Sequence, residues 1–216
     1  MPKPRTFPNM AELTVYSTIG VRSAAEELFH NFERTSGHKL AVTWGTAPML
    51  VKRIERGETA DVLILSRAGI DHLSKQGKIA PDSDVTLASS GVAVAVKAGA
   101  PKPDISTPES LKRTLLAAKS IAYSEPSAGG ASGVYFAKLI ERIGIAEAMK
   151  AKTKYPPAGG FSAELLLTGE ADLAVQQKPE LLHVAGTEVV GFLPSDLNMV
   201  TEFAAGTMPG CKNTDA

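Results

Sequence analysis

Residues 42–66, VTWGTAPMLVKRIERGETADVLILS, decide the fold. The stretch opens on the end of a β-rich run, residues 39–43. Thr46 then stands where a helix N-cap is expected, with Pro48 tolerated in the first turn. The helix predicted over residues 47–56 stops at Gly57. Residues 61–65, DVLIL, are nearly all apolar, as in a strand buried on both faces of a parallel sheet. A strand–helix–strand unit of this kind implies a parallel sheet covered by helices.

The same alternation continues in both directions. Upstream, residues 13–16 read as a strand ending at Ser17-Thr18. Ala24, Ala25, Leu28, Phe29 and Phe32 follow at helical spacing. Downstream, a helix over residues 68–76 ends at Gly77. Small residues at 88–91 (ASSG) suggest a hinge before a strand at 92–97. Thr107-Pro108-Glu109 opens a helix reaching about residue 119. A strand at 120–123 leads into a glycine-rich loop, Ser127 to Gly133 (SAGGASG), which feeds a helix over 134–143. A helix over 161–168 and strands at 153–155, 172–176, 188–193 and 199–203 complete the pattern. The expected architecture is α/β with two lobes, each a mainly parallel sheet flanked by helices. Lobe 1 is residues 1–88 with 196–216, and lobe 2 is residues 89–195. A hinge motion is expected at the two crossings, near Ala88 and Pro194.

Composition removes several function classes. The chain has 216 residues, 44% hydrophobic, so a sizeable core is available. Lys plus Arg is 23 and Asp plus Glu is 23, a zero net charge that argues against nucleic-acid binding. No stretch approaches the ~20 apolar residues of a membrane span, so no membrane insertion is expected. The single cysteine, Cys211, excludes a multi-cysteine metal site. Residues 1–10 (MPKPRTFPNM) precede a strand rather than an apolar h-region, so no signal peptide is read there.

The chemistry gathers at the strand-to-helix turns. Ser17-Thr18, Gly45-Thr46 and Ser127 to Gly133 each follow a strand and precede a helix. A helix N-terminus presents unpaired N–H groups and about half a positive charge, which suits anions. Each such hydroxyl is equally read as an ordinary N-cap. No GxxxxGK[ST], GxGxxG, HExxH or GxSxG motif is present, so nucleotide, dinucleotide, zincin and hydrolase sites are unsupported. Arg22 and Arg53 follow the first two turns, and a guanidinium forks onto planar carboxylates. Among the four histidines, His183 lies nearest a predicted cleft. Asp61 and Asp172 each begin a strand, where a capping or pairing role is expected. The ligand is read as a small anion, with no cofactor and no metal.

Three segments carry a resemblance: LTVYSTIGVRSAAEELFHNFE (13–33), VTWGTAPMLVKRIERGETADVLILS (42–66) and LLLTGEADLAVQQ (165–177). They resemble the type II periplasmic solute-binding proteins, and within them the molybdate-binding family. That resemblance implies an oxyanion held by hydroxyls and backbone N–H groups. Ser17 or Thr18 would supply one, Thr46 with Ala47 another, and Ser127, Gly130, Ala131, Ser132 and Gly133 the second-lobe donors. Where molybdate binders place a tyrosine, this chain has Gln176 and Gln177. The implied partners are the membrane subunits of an ABC transporter, and the implied location is periplasmic, with cytoplasmic as the alternative reading of the N-terminus.

Segments 94–106 (VAVKAGAPKPDIS) and 124–145 (SEPSAGGASGVYFAKLIERIGI) are also similar to a subgroup of the superfamily, the trans-aconitate isomerases. This implies a tricarboxylate ligand and a proton shift, with Arg22 as carboxylate partner; the sequence assigns no catalytic base, and Tyr135 and His183 are the candidates. The resemblance further implies a C-terminal helix packed on lobe 1. Here FAAG passes into TMPGCKNTDA, so an uncovered apolar face is expected on that lobe.

Overall fold

The computed structural model describes residues 10–157, 159–211, 213 and 216. Its first sheet grows from β1 (Glu12–Thr18), in which Leu13 and Val15 are buried on one face and Tyr16 on the other. Strands β2 (Lys39–Gly45) and β3 (Val62–Ser66) flank β1, both parallel to it. The crossovers are α1 (Arg22–Ser36) and α2 (Ala47–Glu55), and α3 (Arg67–Lys75) follows β3. Leu50, Ile54, Leu63, Leu65, Ile70 and Leu73 form the core between these helices and the sheet. Asp61 opens β3 and accepts hydrogen bonds from the Thr14 N–H (2.7 Å) and hydroxyl (2.9 Å), so its carboxylate pins two strands together.

The next strand, β4 (Val85–Lys97), runs unbroken for 13 residues. Its first half pairs antiparallel with β9 (Val200–Thr207), up to Gly91. From Val92 it pairs antiparallel with β7 (Leu173–Gln177) instead. The ASSG stretch, where a hinge is expected, lies within this strand at the crossing between the lobes. The small residues serve a close crossing: a Cβ on Gly91 would lie 2.7 Å from the Asn198 amide. That amide holds the Val92 N–H at 3.0 Å.

The second sheet adds β5 (Ile121–Tyr123), β6 (Thr153–Lys154) and β8 (Thr187–Phe192). Strands β6, β5 and β7 are mutually parallel, and β8 lies antiparallel to β4. Its helices are α4 (Pro108–Ala117), α5 (Ala131–Arg142), α6 (Ala146–Lys150), α7 (Glu164–Thr168) and α8 (Lys178–His183). Both faces of this sheet are dry. Val92, Val94 and Val96 pack toward Leu111, Phe136 and Leu139, while Ala93 and Ala95 pack toward Phe161, Leu166 and Leu181. Asp172 accepts the Lys119 N–H at 2.9 Å, the second structural carboxylate the sequence suggested.

Overall, strands run β2-β1-β3-β9-β4-β7-β5-β6, with β8 beside β4. The architecture is the expected two-lobe α/β fold, parallel in its outer strands and antiparallel where β4 and β9 cross between lobes. On lobe 1, Phe29, Leu40, Val42 and Trp44 line a shallow groove of about 220 Å3 between α1 and β2, and Leu28 is 65% exposed. No helix among the described residues is long and apolar enough to cross a membrane.

Four helices differ from expectation: α6 has no expected counterpart and α7 starts at Glu164 rather than Phe161, while α5 and α8 differ for reasons of local chemistry. Helix α5 starts at Ala131, not Val134, because Gly129 adopts a left-handed turn (φ 74°) and Gly130 takes the N-cap position. Its close seat on β5 needs Gly133, whose Cβ would stand 2.2 Å from the Ser124 carbonyl oxygen. Helix α8 is not among the expected helices. It forms because Pro179 fits a first helical turn and Glu180 closes a capping box with Gln177.

Candidate functional site

A cavity of about 500 Å3 lies between the lobes, at the carboxyl ends of the parallel strands. Thr18, Thr46 and Ser66 reach it from the ends of β1, β2 and β3. Ser124 and Gln177 reach it from the ends of β5 and β7. From α5, Ala131, Val134, Tyr135 and Lys138 line it, at the spacing of one helix face. The opposite face of α5 carries the buried Phe136, Leu139 and Ile140.

Three helix starts facing this cavity lack side-chain caps, whereas α3 is capped there by the Ser66 hydroxyl and α8 by its Gln177–Glu180 box. Thr18 before the 3-10 turn Ile19–Val21, Thr46 before α2 and Gly130 before α5 make no capping bond. Helix α4, whose residues do not line the cavity, is closed by a capping box from Thr107 and Ser110. First-turn N–H groups of α2 and α5 are thus left for a ligand, with the helix dipole favouring an anion. The Thr46 hydroxyl, freed from capping, donates instead to the Ala128 carbonyl across the cleft at 3.3 Å. Beside it, Gly129 faces Pro48 closely enough that a Cβ would touch the ring at 3.5 Å.

Charge in the cavity is sparse. Lys138, on the exposed rim, is the one cationic side chain among the described residues that line it. Two carboxyl groups line it, the exposed Glu125 and the buried Glu180. Glu180 is 5% exposed, and one carboxyl oxygen accepts the Gln177 N–H at 3.1 Å. Burial, partly offset by that bond and by the Gln176 side chain, pushes its pKa up to about 7.

The structure brings together Thr18, Thr46, Ala47, Gly130, Ala131, Ser132 and Gln177, and also Tyr135. Ser17, Arg22, Ser127, Gly133 and Gln176 are not among the lining residues. Ser17 is fully buried behind Thr18. Arg22, expected to meet a ligand carboxylate, instead pairs with Glu26 at 2.7 Å and lies over the Trp44 ring. Gln176 acts one step back: its amide oxygen accepts from Ser162 N–H and hydroxyl, and its nitrogen donates to the Ser124 hydroxyl at 3.2 Å. Gln177 sits at the strand crossing. With its oxygen toward the Thr201 hydroxyl (2.8 Å), its nitrogen reaches Ser90 Oγ and the Gly91 carbonyl. His183 stacks on Phe161 away from the cavity. Arg53 lies over Tyr16 and binds Glu58, holding that carboxyl at about 2.

Sequence reasoning missed Glu180 and Lys138. Glu180 carried a signal, Lys-Pro-Glu after a strand end, which is a helix start with an acid at its third position. Lys138 was legible only once the register of α5 was known.

A cleft lined by hydroxyls and helix starts between two α/β lobes is the arrangement of a two-lobe solute-binding protein. The chain belongs to the bacterial extracellular solute-binding protein family, whose model matches residues 13–216. It is 35% identical over 210 residues to an aconitate isomerase of Pseudomonas sp., spanning 94% of this chain and 78% of that protein. It is 22% identical over 206 residues to the molybdate-binding protein ModA of Escherichia coli (strain K12), spanning 94% of this chain and 79% of that one. Among solved structures, the periplasmic molybdate-binding protein of Azotobacter vinelandii shares the fold. Its TM-score is 0.74 at 19% identity, over 94% of this chain and 88% of that chain.

Proposed function

We propose that this chain binds a small unsaturated polycarboxylate of the aconitate class and interconverts its isomers. One observation carries the reading: the anion-holding points are spread out. The uncapped start of α5 at Ala131 and the Lys138 side chain are separated by seven residues, about 10 Å along the helix. The uncapped start of α2 is a third point, on the opposite lobe. A molecule with several carboxylates can engage such points together, whereas one tetrahedral oxyanion engages a single compact ring of donors. The cavity volume is within the range of small-molecule sites. The 35% identity to an aconitate isomerase supports the same class.

A second reading, an oxyanion receptor serving an ABC transporter from the periplasm, is favoured by the uncapped helix starts and by the likeness to ModA. One experiment separates the two. Thermal unfolding is followed with cis- and trans-aconitate, citrate, molybdate, tungstate and sulfate. A ligand at 100 times its Kd stabilises the fold by about 2.7 kcal/mol. Stabilisation by the tricarboxylates, with interconversion of the aconitates, is the expected result. Stabilisation by molybdate and tungstate alone overturns it in favour of the receptor.

A further inference from the structure

Moving the double bond of an aconitate-type acid requires one proton to leave and one to arrive. The C–H bond of the methylene beside a carboxylate breaks, and its electron pair spreads over the three-carbon allylic system. A C–H bond then forms at the far carbon. No electrons are exchanged with an external partner, so a single group that accepts and returns a proton completes the reaction.

The titratable side chains lining the cavity are Glu125, Tyr135, Lys138 and Glu180. Glu125 is exposed, on the turn before the 3-10 segment Pro126–Ala128. The Tyr135 hydroxyl is committed to the Leu197 carbonyl at 2.9 Å. Lys138 is an exposed ammonium, suited to holding a carboxylate. Glu180 alone combines burial with a place in the wall. It is fixed in direction by the Gln177 N–H and stands beside the strand crossing. Its capping duty does not explain an ionisable group there, since glutamine completes a capping box equally well.

We propose that Glu180 is the acid–base residue of this site. Its carboxylate takes the methylene proton, forming an O–H bond that exchanges with solvent between steps, and delivers a proton from that O–H to the far carbon of the same allylic anion. This rests on the reading of the ligand as an aconitate-type polycarboxylate. Burial, which lifts the group to about 7, suits a residue that must both accept and release a proton near neutrality.

The test compares the parent protein with Glu180→Gln and Glu180→Asp, using trans-aconitate as probe. Binding is read by calorimetry, interconversion by the absorbance of the two isomers, and proton removal by deuterium uptake from D2O into the bound acid. Glu180→Gln keeps the capping box and the shape of the wall. The expected result is binding within a few-fold of the parent, with interconversion and deuterium uptake lowered about 10²- to 10⁴-fold. Glu180→Asp, which keeps a carboxylate set back by one methylene, is expected to fall between the two. Interconversion by Glu180→Gln within tenfold of the parent overturns the assignment and leaves the ligand reading standing. A parent protein that neither binds nor converts the acid overturns both.

Discussion

The Thr46 hydroxyl donates to the Ala128 carbonyl at 3.3 Å, joining the start of α2 to the turn before α5. The bond crosses the cleft, so it forms only when the lobes are together. Removing the hydroxyl while keeping the side-chain shape, as in Thr46→Val, subtracts this bond. A hydrogen bond of this kind contributes about 0.5–1.5 kcal/mol. The Kd for trans-aconitate is expected to rise about tenfold by calorimetry, with the unliganded Tm within about 2 °C of the parent. An unchanged Kd assigns Thr46 to the helix start alone.

Lys138 and Arg22 offer a paired comparison. Lys138 lines the cavity, while Arg22 is held by Glu26 and Trp44 outside it. Lys138→Met is expected to weaken polycarboxylate binding and to flatten its dependence on salt, since an exposed ammonium acts through a screened field. Arg22→Ala is expected to leave both unchanged. Calorimetry at low and high salt reads the two variants.

Glu180 makes stability depend on pH. Its pKa is raised from the ordinary 4.5 to about 7 in the folded protein. The folded state therefore binds the proton more tightly than the unfolded chain, and stability should fall as pH rises between these values. The contribution is complete below 4.5 and lost as pH passes about 7. The other charged side chains lining the cavity, Lys138 and Glu125, are both exposed. Urea unfolding across that range should show the slope in the parent, and Glu180→Gln should flatten it.

Gly133 tests the seat of α5. An added methyl would meet the Ser124 carbonyl oxygen at 2.2 Å, and neither partner is a flexible side chain. Gly133→Ala is expected to cost about 1–3 kcal/mol, or some 2–4 °C in Tm per kcal/mol. Because the same helix start carries Ala131 and Ser132, ligand affinity should fall with it. A Tm equal to the parent's removes the packing argument.

Much of the fold was legible in local chemistry. Apolar runs such as 62–65 and stops such as Gly57 and Gly77 depend on neighbours a few residues away, which the sequence displays directly. Thr18, Thr46 and the loop around Gly130 were also readable, because strand–turn–helix order places them at one end of a sheet. Direction within a turn was not. Ser17 and Thr18 are adjacent, yet one is buried and the other faces the cavity. Arg22 was assigned by chemical type, but Glu26 one turn away and Trp44 on β2 capture it. Lys138 required the rotation of α5, which Phe136 and Leu139 fix only through packing against the second sheet.

The insertion of β9 between β3 and β4 ties the order of folding to the order of synthesis. The second sheet is built from one continuous span of chain, β4's second half through β8, and can assemble as that span emerges. The first sheet cannot. Until Val200–Thr207 is made, β3 and β4 each expose an unsatisfied edge, with nearly 140 residues separating β3 from its missing neighbour. Contacts that distant form slowly. The same strand also completes the cavity, since Thr201 and Phe203 of β9 stand in its wall.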